Sequence, residues 1–214
     1  MLTSMNIYFN IVNRLDEKAN KGGYRMTLKE KAVEFATAAH AGQMRKLSNQ
    51  PYIIHPLQVA ETLEKAGFCE ELVIAGLLHD TVEDTDTTIE QIEREFGTKV
   101  SSFVAAHTED KTKTWEERKQ HTLELVKEAP LEVKALIVAD KWDNLKSMTA
   151  GHELMGDAIW SSFKRGLEHQ KWYIKGIAMN SFYGLDDEEI PEFFHQYVKD
   201  VNKFFDSLTN TNEN

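Results

Sequence analysis

The chain has 214 residues, of which 41% are hydrophobic and 28% charged, a composition typical of one globular domain. Its formal net charge of −10 argues against general nucleic-acid binding, which needs a basic face. No apolar run reaches the roughly 18–20 residues of a membrane span, the N-terminus lacks the features of a signal peptide, and the single Cys69 can form no internal disulfide. We therefore expect a cytoplasmic protein with no nucleic-acid or membrane partner.

The first elements are punctuated by helix caps and a loop. Residues 1–25 are only weakly periodic and are interpreted as a poorly defined leader. Thr27 and Glu30 have the spacing of a capping box, which predicts a helix over LKEKAVEFATAAH. AGQMRKLSNQPY is predicted to be a loop, and Pro56 suits the first position of a second helix, PLQVAETLEKAG.

Helical patterns continue through the rest of the chain. CEELVIAGLLHD is hydrophobic on most sides, so this third helix is predicted to be central. Thr87 and Glu90 predict a second capping box, and three more helices follow before a helical region at 157–180. Pro191 is predicted to begin the last helix, which leaves 209–214 as a frayed tail. Since period-2 alternation is nearly absent, we predict an all-α fold with one domain over 26–208.

The stretch LLHDTVEDTDT (residues 77–87) passes from apolar residues directly into a dense acidic cluster. His79 and Glu83 are four residues apart, as are Asp80 and Asp84, so each pair would share one face of a continuing helix. Like charges at this spacing repel, and the repulsion grows when they are desolvated. A divalent cation would offset it, and imidazole with carboxylate suits Mn, Fe, Zn or Mg-type ions.

Two other apolar segments also end in residues of the metal-binding kind. ALIVADKWDN runs from buried-type residues into Asp140, with Asn144 one turn later, and His55 closes the apolar part of PYIIHP. We expect these segments to converge with LLHDTVEDTDT on one metal site.

Each residue alone also has a structural explanation. Acidic residues at a helix end are often solvated or capping, His55 could be a core histidine, and Asp140 could be an ion-pair partner. The sequence contains no P-loop, dinucleotide-binding or nucleophile-elbow motif, and one cysteine excludes a zinc finger. The three segments together favour the metal site.

The order PYIIHP, LLHDTVEDT and VADKWDNL resembles the HD superfamily of metal-dependent phosphohydrolases. Within that superfamily, AHAGQMRK followed by PYIIHP and LLHDTVEDT is similar to the hydrolase domain of the ppGpp (alarmone) enzymes, including their small stand-alone forms. The matched stretch runs from about Thr27 to Met148, and YIIHP places its histidine 24 residues before His79. This resemblance implies a compact multi-helix HD-domain fold.

The resemblance also implies roles for individual residues. It implies that one divalent ion, usually Mn²⁺, is bound by His55, His79, Asp80 and Asp140. It further implies that Glu83 and Asp84 position and activate the attacking water, and that the substrate is held by Arg45, Lys46, Lys111 and Asn144.

The implied reaction removes pyrophosphate from the 3′ position of ppGpp and leaves GDP. Two alternatives stay open: another nucleotide as substrate, or a ligand-binding regulatory module with little turnover. The chain departs from the family where Trp115 stands near the place of a basic residue. After Met148, Lys164, Arg165, Gln170 and Tyr173 could contact phosphate or form an exposed basic face over a core Trp172. The sequence does not indicate an oligomeric state.

Overall fold

The computed structural model describes residues 26–210, with side chains over 26–208. The predicted leader at 1–25 and most of the predicted tail at 209–214 lie outside the described residues, so neither prediction is tested. Within residues 26–210 the regular structure is helical, with one isolated bridge between Met44 and Pro51 and no β-strand. The prediction of an all-α fold is confirmed.

The described part contains ten α-helices in chain order. They are α1 (Leu28–Ala39), α2 (Ile54–Lys65), α3 (Glu70–Leu78), α4 (Thr81–Asp84), α5 (Ile89–Phe96), α6 (Thr98–His107), α7 (Trp115–Glu128), α8 (Leu131–Met155), α9 (Gly166–Asn180) and α10 (Glu192–Asn210). Short 3-10 segments at Gly156–Ser162 and Asp187–Glu189 precede α9 and α10. Among these helices, none combines the length and apolar character needed to cross a membrane.

Helix starts follow the capping signals of the sequence, with one shift. Thr27 caps α1 through the predicted box with Glu30. The second box was predicted one residue too early: Thr88, not Thr87, has the extended backbone and accepts from Gln91 N. Thr87 lies just before the helix cap, where its backbone N–H donates to the Thr85 hydroxyl.

The central position predicted for the third helix is correct. Every residue of α3 from Leu72 to Leu78 is buried, so the chain enters the next turn inside the protein. Gly76 lets α2 approach closely, since a Cβ there would lie 3.2 Å from Cα of Ala60. This contact positions the residues just after α3 beside the first turn of α2.

One local expectation was wrong: Pro56 is the third residue of α2, not the first, which places His55 inside the first turn of the helix. The buried residues from Leu136 to Ala139 lead into Asp140 as predicted, and α8 continues for fifteen residues beyond it to Met155. The polar residues of interest therefore come from a helix start, a helix end and a helix middle.

Candidate metal centre

The four side chains predicted as metal ligands meet in the interior. His55 and His79 are 1% and 0% exposed, and Asp80 and Asp140 are also buried. Nε2 of His55 lies 3.4 Å from Oδ2 of Asp80 and 3.3 Å from Oδ1 of Asp140. Nε2 of His79 lies 3.1 Å from Oδ2 of Asp80. Three separate segments thus converge as the sequence predicted.

Both histidine rings are held in orientation by a contact at Nδ1. Nδ1 of His79 donates to the carbonyl of Gly76 at 2.9 Å, and Nδ1 of His55 lies 2.6 Å from Oδ2 of Asp143. When Nδ1 carries the proton, the lone pair of Nε2 is directed into the cluster, which is the arrangement typical of metal-bound histidine. Nε2 of His79 is buried and has no hydrogen-bond partner among the described residues. These observations fit a divalent cation.

The buried carboxylates are held ionised by positive neighbours. Burial disfavours the charge on Asp80, but His79 and the hydrogen bonds of His55 hold its pKa well below the usual value. Burial also disfavours the charge on Asp140, but the charge of Lys141 and the hydrogen bond of His55 outweigh burial and lower its pKa. For His55, hydrogen bonds to Asp140, Asp143 and Asp80 outweigh burial and raise its pKa well above the usual value. The positive charge of the protonated histidines thus balances the buried carboxylates, and a bound metal ion could take over that role.

Glu83 and Asp84 have different environments. Glu83 is partly buried, and its Oε1 accepts from the backbone N–H of Glu109 at 2.8 Å. Burial, together with the nearby charges of Asp80 and Glu109, raises the pKa of Glu83 although that hydrogen bond opposes it. The side chain of Asp84 is 41% exposed and pairs with Lys111 at 2.8 Å. Lys111 also donates to the carbonyl of Glu83.

A basic cavity of about 430 Å³ adjoins the cluster. Among the residues that the structure describes, six cationic side chains and no acidic one line the cavity, and these cations are Arg45, Lys46, Lys119, Lys141, Lys164 and Arg165. Lys119 forms an ion pair with Glu109, and Arg165 forms one with Glu116; neither glutamate lines the cavity. In a protein with a net charge of −10, such a lining favours an anionic ligand.

Two residues join this cavity to the His/Asp cluster. Lys141 lines the cavity and places its ammonium 2.5 Å from Oδ2 of Asp140. Asn144 also lines it and donates to Oδ1 of Asp140 at 2.6 Å. An anion in the cavity would therefore lie next to the candidate metal site.

Of the residues predicted to contact substrate, three line the cavity and one does not. Arg45, Lys46 and Asn144 are part of its wall. Lys111 is outside the lining set and pairs with Asp84. From the region after Met148, four residues also line the cavity: Lys164, Arg165, Gln170 and Tyr173. Trp172 is 41% exposed, so it does not form the core suggested by the alternative.

Sequence reasoning missed several residues of the site. Tyr52 donates to Oδ2 of Asp80 at 2.5 Å, and Asp143 supports His55. Both residues lie within the motifs PYIIHP and VADKWDNL, but no role was predicted for either. Lys141 and Lys119 were also missed. His107 lies at the end of α6, with Nε2 3.1 Å from Oδ2 of Asp140. The only sequence signal for His107 was its place after the apolar run FVAA.

Comparison with known proteins agrees with this architecture. The sequence model of the HD domain family matches residues 32–162. The chain is 42% identical over 120 residues to the mouse guanosine-3′,5′-bis(diphosphate) 3′-pyrophosphohydrolase MESH1, covering 55% of this chain and 67% of that protein. It is 39% identical over 122 residues to the corresponding enzyme of Aquifex aeolicus, covering 56% of this chain but 17% of that enzyme.

Two solved structures are similar to this chain over a larger part of its length. A Listeria monocytogenes protein, lmo0812, is 54% identical with a TM-score of 0.69, covering 71% of this chain and 99% of that one. A metazoan ortholog of SpoT that hydrolyses ppGpp is 25% identical with a TM-score of 0.69, covering 85% of this chain and 97% of that one.

Proposed function

The chain belongs to the HD domain family, and from that premise we propose that it is a metal-dependent phosphohydrolase that removes pyrophosphate from the 3′ position of guanosine 3′,5′-bis(diphosphate), leaving GDP. The carrying observation is the contact between the buried His/Asp cluster and the basic cavity, made through Lys141 and Asn144. Relatives named for this activity support the choice of substrate.

We propose that His55, His79, Asp80 and Asp140 hold one divalent ion, with Mn²⁺ as the first candidate. Imidazole and carboxylate ligands together suit such an ion. The buried Nε2 of His79, which has no hydrogen-bond partner within residues 26–208, supports this assignment. When bound, the ion lowers the pKa of a water molecule and polarises a phosphate oxygen. Asp143 and the carbonyl of Gly76 keep the two imidazoles in the orientation required.

Glu83 is the proposed general base. Its carboxylate is partly buried, and burial together with the charges of Asp80 and Glu109 raises its pKa. A carboxylate with a raised pKa accepts a proton from an attacking water more readily than an ordinary one. Asp84, predicted together with Glu83, is proposed to help through Lys111, which it holds against the Glu83 carbonyl.

The basic cavity is proposed to bind the phosphate groups of the substrate. Arg45, Lys46, Lys141 and Asn144 belong to its wall, and charge-assisted hydrogen bonds to phosphate are the strong ones in proteins. The rings of Trp115 and Phe163 lie in the same wall and are proposed to contact the base of the substrate. The proposed partner is thus a small nucleotide, and the proposed location is the cytoplasm; oligomeric state is not assigned.

A nucleotide panel tests the proposal. Purified protein with Mn²⁺ is offered ppGpp, pppGpp, GTP, GDP, ATP and dNTPs, and products are separated by ion-exchange chromatography. We expect GDP and pyrophosphate from ppGpp, and loss of turnover in Asp80→Ala. If only another nucleotide is hydrolysed, the proposed substrate is wrong. If a nucleotide binds tightly and none is hydrolysed, the protein is a regulatory module and not an enzyme.

A further inference from the structure

His107 is the last residue of α6, and its side chain reaches the candidate metal centre. The side chain is 7% exposed. Its ring centroid lies 4.9 Å from that of His79, and its Nε2 lies 3.1 Å from Oδ2 of Asp140. No role in the proposed hydrolysis has so far been given to this residue.

The two ring nitrogens of His107 are buried. Neither Nδ1 nor Nε2 has a hydrogen-bond partner among the described residues, although Nε2 lies close to Asp140. An unsatisfied buried polar atom is costly, so native proteins rarely leave one without a function or an unseen partner. Oδ2 of Asp140 already accepts from Lys141, so it does not require a proton from His107.

We propose that His107 is a fifth protein ligand of the divalent ion assigned to His55, His79, Asp80 and Asp140. This inference rests on the proposed metal-dependent function. Two groups of side chains could each hold an ion, His55–His79–Asp80 and His79–His107–Asp140, and they share His79. Because Nε2 of His79 has one lone pair, it can bind only one ion at a time, and an ion that used both groups would have His107 among its ligands.

The distances fit a single ion. Ligand atoms about 2.0–2.2 Å from an ion lie roughly 2.8–3.6 Å from each other at octahedral or tetrahedral angles. Within the two groups, His55–Asp80, His79–Asp80 and His107–Asp140 are 3.4, 3.1 and 3.1 Å apart. Between the groups, Oδ1 of Asp140 lies 3.3 Å from Nε2 of His55 and 4.0 Å from Nε2 of His79. A second ion beside His107 would face the Lys141 ammonium, which is 2.5 Å from Oδ2 of Asp140. Repulsion from that ammonium disfavours two ions.

The additional imidazole also changes which ion is preferred. Three imidazoles with two carboxylates favour first-row transition metals over Mg²⁺, because Mg²⁺ prefers oxygen ligands. His107 is therefore a residue that selects the metal.

The first experiment counts ligands without any nucleotide. Apo protein is loaded with Co²⁺, its metal content is measured, and paramagnetically shifted resonances are assigned with ring-labelled histidine. We expect one ion per chain and shifted signals from three histidine rings. Two shifted rings, or two ions per chain, would overturn the proposal.

The second experiment compares His107→Gln with His121→Gln, since His121 is exposed on α7. We expect His107→Gln to lose one shifted ring and to bind Co²⁺ about tenfold more weakly or worse, while His121→Gln matches wild type. Equal affinity in both variants would also refute the proposal. If His107→Gln does not fold, the wild-type ring count decides. Because neither readout uses a nucleotide, failure of the proposed hydrolysis is separately visible in the nucleotide panel.

Discussion

Asp143 supports the metal centre from behind His55, with its Oδ2 2.6 Å from Nδ1 of that histidine. The same oxygen accepts from a guanidinium nitrogen of Arg45 at 2.8 Å. Arg45 also lines the basic cavity, so one carboxylate connects the proposed substrate pocket to a proposed metal ligand. Such supporting carboxylates orient a ligand imidazole and increase its basicity.

We expect Asp143→Ala to weaken Mn²⁺ binding about 10–100-fold, because His55 loses the partner that fixes its ring. Isothermal titration calorimetry on chelator-treated protein measures this change. Asp157→Ala is the matched control, since Asp157 also pairs with a histidine, His152, but at an exposed site away from the cluster. Equal affinities of the two variants would show that Asp143 does not support the metal site.

Glu83→Gln is expected to keep the metal and to lower kcat for ppGpp hydrolysis about 10²–10⁴-fold, because an amide cannot accept the proton from water. Metal content and steady-state rates of the same preparation test this. Asp84→Asn should lose less, since Asp84 acts through Lys111 rather than toward the cluster. A metal-free Glu83→Gln protein would make Glu83 a ligand instead of the base.

Lys46→Gln should raise KM for ppGpp roughly tenfold, the effect of removing one charge-assisted hydrogen bond of about 1.5 kcal/mol. Lys111→Gln should leave KM near the wild-type value, because Lys111 lies outside the cavity lining. Initial-rate kinetics on both variants distinguish them. If KM rose only in Lys111→Gln, the cavity would not be the substrate site.

Metal affinity should rise with pH. Burial lowers the pKa of His55, but its aspartate partners outweigh burial and raise it well above the usual value, so the apo ring keeps its proton to a higher pH than a free imidazole. The metal must displace that proton, and the competition weakens as pH increases through the raised pKa. Asp80 and Asp140 have lowered pKa values and stay ionised throughout. Mn²⁺ titrations between pH 6 and 8, in buffers of different ionisation enthalpy, should show proton release; constant affinity without release would contradict the protonated ring.

Local sequence signals determined the helices well where capping chemistry was explicit. Thr27 with Glu30 gave the correct start of α1. The second box was displaced to Thr88 because two adjacent threonines offer the same chemistry, and only the backbone conformation decides between them. Pro56 was misplaced for a related reason, since proline is tolerated throughout the first turn, where N–H groups have no helical partner.

The sequence by itself determined the all-α fold, because apolar periodicity is a local property of the chain. It also predicted the convergence of His55, His79, Asp80 and Asp140, because three apolar segments each end in residues of the metal-binding kind. Only the tertiary structure brought His107, Lys141 and Asp143 to that cluster. It also separated Lys111 from the cavity and exposed Trp172. The physical reason is that burial and side-chain direction depend on how α6, α8 and α9 pack against one another, and no spacing within one segment encodes that packing.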